Sequence, residues 1–293
     1  MNNITLVTSI PPALKRISGD KDVSAEYQLA CIDSWIDCGF NVISVNSESE
    51  KNNLISDSRI AFHYTETDAS DIIKKPLVYI ESMIDSLTCE KSNIVAITNA
   101  DIMVRFNHEE RVKIENLSPG EVLIARRIDV SDYHSVHGVN YGVEYKKGVD
   151  FICMHKEDLS KIRGSGLVFG APWWDHYIPL ALALQGVKLS QLRSSSILHL
   201  KHSERWSKDA WIHFGGIFVE NILKRMVKYR GESKFASIYL TSLEKKIRIN
   251  RFIFIEGLKS LLFIRPTYKY KDIGRLRAIS ELNLKTLENI FQV

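Results

Sequence analysis

The sequence predicts an α/β protein, a mixed sheet flanked by helices with a helical C-terminal extension. Three observations carry that expectation. Short apolar runs bounded by polar turn residues alternate with helix-like stretches through residues 1–206. A strand–helix–strand unit lies at the start of the chain, and beyond residue 206 strand-like alternation gives way to helical periodicity.

In order, Ile4-Thr5-Leu6-Val7-Thr8 reads as the first strand. Residues 26–38 place Tyr27, Ala30, Cys31, Ser34 and Trp35 at helical spacing and stop at Gly39, and a strand is expected over residues 41–45. A weaker strand follows at residues 60–64, then a helix at 75–87 with Pro76 in its first turn. The buried strand at 94–97 runs into Thr98-Asn99-Ala100-Asp101. Strands at 121–125 and 149–154 flank the polar, glycine-containing stretch 131–148, which is long enough for a substrate loop. A helix at 173–185 ends at Gly186, and 197–200 is the final strand. The domains expected are 1–206, catalytic, and 207–293, basic and mainly helical.

Composition narrows the class. With 293 residues, 45% apolar and 25% charged, and only 15 Gly and 7 Pro, the chain is of ordinary globular type, which excludes disordered, collagen-like and mucin-like readings. Cys31, Cys38, Cys89 and Cys153 stand singly, with no CxxC pair, and are expected as reduced, buried thiols of a cytosolic protein. The N-terminus shows no basic segment followed by an apolar one, so no secretory signal is expected. The most apolar window, residues 252–264, carries Glu256 and Lys259 and falls short of the roughly 18 uninterrupted apolar residues of a membrane span. The net charge of +4 hides an asymmetry: residues 221–293 hold 16 basic and 6 acidic side chains, and the remainder is acidic overall. Lys245, Lys246, Arg248 and Arg251 beside that apolar window suggest reversible docking on an anionic inner membrane, or else packing of the tail against the body. The acidic body and the absence of an aromatic-basic RNA motif argue against a nucleic-acid partner.

Three places can do chemistry. Asn99 and Asp101 follow a buried strand, where open α/β sheets bind ligands, and their oxygens suit Mg²⁺ or Mn²⁺ on a nucleotide diphosphate; they could equally make turn or cap hydrogen bonds. His199 and His202, three apart at a strand end, can bring imidazole to a metal or diphosphate, without the further ligands of a closed zinc site. Asp175 falls in the first turn of a helix after Trp173 and Trp174, where it interacts with the helix dipole or serves as a general base beside aromatic rings that could stack on a sugar. No GxSxG, Walker or GxGxxG motif is present.

Taken in order, Thr8-Ser9-Ile10-Pro11-Pro12, Asn99-Ala100-Asp101-Ile102, Gly148-Val149-Asp150-Phe151, Gly170-Ala171-Pro172-Trp173-Trp174-Asp175 and His199-Leu200-Lys201-His202 resemble the motifs of nucleotide-diphospho-sugar transferases of the GT-A fold, a Rossmann-type architecture. The resemblance covers residues 3–206 and is closest to bacterial members with an Asn-Ala-Asp motif. It implies Asp101 as ligand of a divalent metal on the donor diphosphate, with Asn99 standing where the family usually has a first Asp. It implies Thr8, Ser9 and Ile10 near the nucleotide, Asn46 near the base, Lys75 beside the nucleotide, and His199 or His202 as the late histidine on metal or diphosphate. Asp175 best matches the base that deprotonates the acceptor, with Asp150 as the alternative; the Trp-Asp pair leaves a retaining outcome open. The function implied is transfer of a sugar from a nucleotide-sugar to a hydroxyl of a glycan or lipid-linked glycan in bacterial surface polysaccharide synthesis, by a cytoplasmic, peripherally membrane-associated enzyme. The rival is a catalytically silent sugar-nucleotide or glycan-binding module on the same scaffold. Homo-oligomeric assembly stays open.

Overall fold

The computed structural model describes residues 4–132, 142–203, 206–229, 234–248 and 273–291. Strand β1 (Ile4–Thr8) precedes a small ribbon of β2 (Ile17–Ser18) and β3 (Lys21–Asp22). Helix α1 (Ser24–Asp37) leads into β4 (Phe40–Ser47) and β5 (Ile60–Thr65), then α2 (Ser70–Ile73) and α3 (Ile80–Thr88). Next come β6 (Ile94–Thr98), β7 (Ile102–Val104), α4 (His108–Glu115), β8 (Glu121–Ala125), β9 (Ile128–Val130), β10 (Gly142–Glu144) and β11 (Phe151–His155). Helix α5 (Trp174–Leu184), β12 (Lys188–Gln191) and β13 (Ile197–Leu200) follow, then α6 (Lys208–Tyr229), α7 (Lys234–Arg248) and α8 (Ile273–Phe291).

Seven strands form the central sheet in the order β12-β8-β11-β6-β1-β4-β5, in which β11 alone runs antiparallel to its neighbours. β1 and β6 are buried at every position, as parallel strands covered on both faces must be. Alternation divides their side chains between two cores. Leu6 and Ala96 face α1 with Tyr27, Cys31 and Trp35, whereas Val7, Val95 and Ile97 face the opposite helical layer. That second layer contains α3, α5 and, among the described residues beyond 206, α6, α7 and α8, whose Phe214, Phe218, Leu240 and Leu276 belong to the same buried cluster as Val95 and Ile152. Helix α5 lies between sheet and tail, buried at every position except Asp175. A second sheet, β10-β9-β13-β7, stands beside the carboxyl end of β6.

Several expectations need correction. The helix expected at 75–87 begins at Ile80, because Leu77 and Val78 form extended backbone hydrogen bonds to Ala69 and Phe169, and a residue before proline, here Lys75, avoids the helical region. Cys89 is exposed, although Cys31 and Cys153 are buried; all four cysteines are free. The expected loop 131–148 contains β10, and residues 133–141 lie outside the described residues. So does the window 252–264. Among the described residues no helix is long and apolar enough to cross a membrane.

Candidate functional site

From β1 the chain builds outward through β4 and β5, then returns to place β6 on the other side of β1. The carboxyl ends of β1 and β6 therefore flank the point where the winding reverses, the crevice in which open α/β sheets bind ligands. Thr8 ends β1 and Asn99, Ala100 and Asp101 leave β6 at that edge. Thr8 is fully buried, and its Oγ1 has no hydrogen-bond partner among the described residues.

Asp101 is the hub of a cluster. Its Oδ2 lies 3.3 Å from His199 Nε2 and 3.5 Å from His202 Nε2, and it pairs with the buried Arg16. The backbone is pinned from below by Tyr27 on α1, whose hydroxyl donates to the Asp101 carbonyl at 2.8 Å and accepts from the Leu200 amide at 2.7 Å. One phenol thus ties the end of β6 to the end of β13. Burial opposes ionisation of Asp101, but His199, His202 and Arg16 outweigh it and hold the carboxyl well below its usual range.

His199 owes its orientation to strand register. On parallel β13 and β9 it lies opposite Asp129, and its Nδ1 meets Asp129 Oδ1 at 2.7 Å, leaving Nε2 directed at Asp101. Burial lowers the basicity of His199, yet the two carboxylates raise it overall. Arg127 extends the chain of charges, bonding Asp129 at 2.7 Å through Nε and Asp150 at 2.6 Å. The alternation Asp101, His199, Asp129, Arg127, Asp150 links the two sheets.

Asp150 immediately precedes β11, whose antiparallel pairing sets Phe151 opposite Thr98, so it faces the end of β6. Its amide donates to Ala125 O at 3.0 Å, and Thr98 Oγ1 donates to its carbonyl at 2.8 Å. Its Oδ1 accepts from Arg127 and, at 3.3 Å, from Asn99 Nδ2, whereas its Oδ2 is buried with no partner among the described residues. Burial raises its pKa despite Arg127. Asp175 is also raised, first by burial and further by Asp150. The Asp175 carboxylate lies over Gly148, where an added Cβ would come within 1.9 Å of Oδ2.

Not every expected residue reaches the crevice. Asn46 is fully buried, and its amide donates to Ile10 O at 2.8 Å and Glu50 at 3.0 Å while its oxygen accepts from Ser44. Both amide hydrogens of Asn46 are therefore committed, one to the Ile10 turn and one to Glu50, and the side chain lies buried beneath that turn. Ile10 is itself buried, its N–H bonded to Ser44 Oγ at 2.8 Å; Ser9 beside it is half-buried. The Lys75 ammonium sits 4.3 Å from the centroid of the Trp206 ring. Trp173 and Trp174 are core residues, each 3% exposed, and offer no face to a sugar. No local motif marks Arg16, Arg127 or Asp129 in the sequence, and Tyr27 reads there only as one residue of a helix face.

Asp101, His199 and His202 each offer one ligand atom, all within 4.8 Å of one another. One carboxylate with two imidazoles suits a divalent transition ion such as Mn²⁺. A carboxylate on the far nitrogen, as Asp129 provides to His199, is the usual support of a metal-bound histidine. The residues present fit such an ion.

No protein-family model matches the chain, and no curated protein matches its sequence. Among solved structures, the chain is similar to HddC from Yersinia pseudotuberculosis at 12% identity, over 68% of this chain and 93% of that one, with a TM-score of 0.39. It is also similar to a nucleotidyl transferase from Methanothermobacter thermautotroptrophicus at 12% identity, over 67% and 88% of the two chains, with a TM-score of 0.42. A third is 4-diphosphocytidyl-2C-methyl-D-erythritol synthase from Anaerococcus prevotii, at 13% identity over 73% and 94%, with a TM-score of 0.38.

Proposed function

We propose that this protein is a glycosyltransferase that moves a sugar from a nucleotide-sugar donor to an acceptor hydroxyl. The observation that carries the reading is the Asp101, His199 and His202 cluster at the winding reversal, with two carboxyl groups of raised pKa, Asp150 and Asp175, electrostatically coupled close by. It is supported by the order of motifs that resembles GT-A transferases.

In this reading Asp101, His199 and His202 hold a divalent cation, which when bound neutralises charge on the departing diphosphate. Asp129 fixes His199, and Arg16 balances Asp101 from the β1 side. Thr8 and Ser9 stand on the nucleotide side of the crevice, where the buried Thr8 Oγ1 has no hydrogen-bond partner among the described residues. Asp175 takes the acceptor proton, for which a raised pKa is the right tuning, and Asp150 is the alternative base through its Oδ2, which has no partner among the described residues. Asn99 at the first position of the acidic motif also acquires a reason. A carboxylate there would confront Asp150, whereas the amide donates to it at 3.3 Å. The acceptor proposed is a glycan or lipid-linked glycan, and the basic tail is proposed to dock on anionic lipid, which salt-sensitive co-sedimentation with anionic but not neutral vesicles tests.

The test of function is a panel of nucleotide-sugars with and without Mn²⁺, read first as thermal stabilisation and then as donor hydrolysis or transfer. Stabilisation by one donor, followed by its turnover, is expected. Stabilisation without turnover under any acceptor would make the chain a sugar-nucleotide-binding module, and no stabilisation by any donor would remove the reading.

A further inference from the structure

The tail helices reach the start of α5 from two sides. On one side Trp173 holds a left-handed backbone, φ 82°, a strained conformation for a bulky residue. What holds it there is α6: Trp173 Nε1 donates to Trp211 O at 2.9 Å, its ring packs 5.1 Å from Phe218, and a Cβ at Gly215 would approach it to 3.0 Å. On the other side runs a buried polar relay. Tyr239 of α7 donates to Asn283 Oδ1 at 2.8 Å, and the Asn283 amide donates to His176 Nδ1 at 3.4 Å. His176 Nε2 then donates to the Lys147 carbonyl at 2.9 Å. Asn283 is fully buried, His176 nearly so, and a carbonyl can only accept, which fixes the imidazole with its proton on Nε2.

The two supports converge on one residue. Asp175 lies between Trp173 and His176, and its carboxylate rests on Gly148, next to the Lys147 carbonyl that His176 holds. We infer that Asn283 and Tyr239 are positioning residues which, through His176 and Lys147, hold Asp175 and the Gly148 turn in register, so that the C-terminal helices form part of the candidate site. The role given to Asp175 rests on the transferase reading; the relay does not. Asn283 stands between Tyr239 and His176, so cutting that link removes the donor to His176 Nδ1.

The test uses the full-length protein with Asn283→Ala, and with Tyr239→Phe as a milder variant that removes a single hydroxyl. Amide exchange is followed at residues 145–150 and 174–178, with β1, β6 and α1 as internal references. Exchange in the first two segments is expected to rise about tenfold or more while the references keep their protection. The ring ¹⁵N spectrum of His176, assigned with His176→Gln, is expected to pass from a fixed Nε2–H form to a mixture of tautomers. Mn²⁺ affinity is expected to stay unchanged, and with a donor in hand kcat falls while the donor KM holds. Unchanged exchange at 145–150, or protection lost evenly through the references, would overturn the inference. Failure to find any donor would count against the transferase reading alone, because exchange and ring signature need none.

Discussion

Asp129→Asn is the most informative single change, because Asp129 belongs to neither the proposed cation ligands nor the proposed base yet decides how His199 stands. Its Oδ1 accepts from His199 Nδ1 and from Arg127 Nε, each at 2.7 Å. Hydrogen bonds to charged groups are worth about 1.5–3 kcal/mol each, and the amide oxygen of Asn retains about 1 kcal/mol per contact, so the net loss is about 1–4 kcal/mol. At about 2–4 °C of melting temperature per kcal/mol, that is a fall of several degrees. The pH dependence follows from the shifts. Asp129 and Asp101 are depressed below their ordinary value of 3.8, so their contribution is full above it and vanishes as pH falls through the folded values. His199 is raised above 6.5, so its contribution is full below that value and vanishes as pH rises through the folded one. The cluster is therefore most stabilising near pH 6. The Asn variant is expected to lose most there and less at alkaline pH, above the raised folded pKa of His199, where the His199 contact has lost its charge assistance and the Arg127 contact keeps it. Thermal unfolding at the two pH values measures it. Equal losses at both, or no loss at either, would refute the coupling of Asp129 to His199.

Three further outcomes follow from the site. Asp175→Asn is expected to lower kcat by about 10²-fold or more with donor affinity nearly intact, as read from saturation kinetics beside donor titration. Gly148→Ala puts a Cβ within 1.9 Å of Asp175 Oδ2 and must move that flexible side chain, so turnover is expected to fall while the melting temperature changes by only a few degrees. Asp150→Asn keeps a partner oxygen for Arg127 and removes the cost of burying a charge; its thermal stability at neutral pH is expected to hold, and a large loss of stability there would show that the Arg127 pair outweighs burial.

The sequence carried most of the sheet, because β1, β4, β6, β8 and β11 are runs of buried apolar residues whose pattern is local. It also marked Asp101, His199 and His202, whose positions at strand ends are legible without the partner strands. Asp129 was not legible: it lies on a three-residue strand, and its meaning appears only when β9 pairs with β13, 70 residues away. Arg16 and Arg127 are likewise defined by partners distant in sequence, at Asp101 and Asp150. Trp173 and Trp174 misled for a related reason. Aromatic residues at a helix start look the same whether they face a cleft or a neighbouring helix, and here α6 takes one of them. Asn46 shows the complement, a polar residue after a strand that is consumed by the turn beside it.

Direct titration of Mn²⁺ into the wild-type protein, alone and with a nucleoside diphosphate, tests the central claim most closely. Binding of one ion, strengthened by the nucleotide, is expected, falling about 10- to 100-fold in Asp129→Asn and lost in Asp101→Asn. Mn²⁺ binding that is absent, or that persists unchanged in Asp101→Asn, would contradict it.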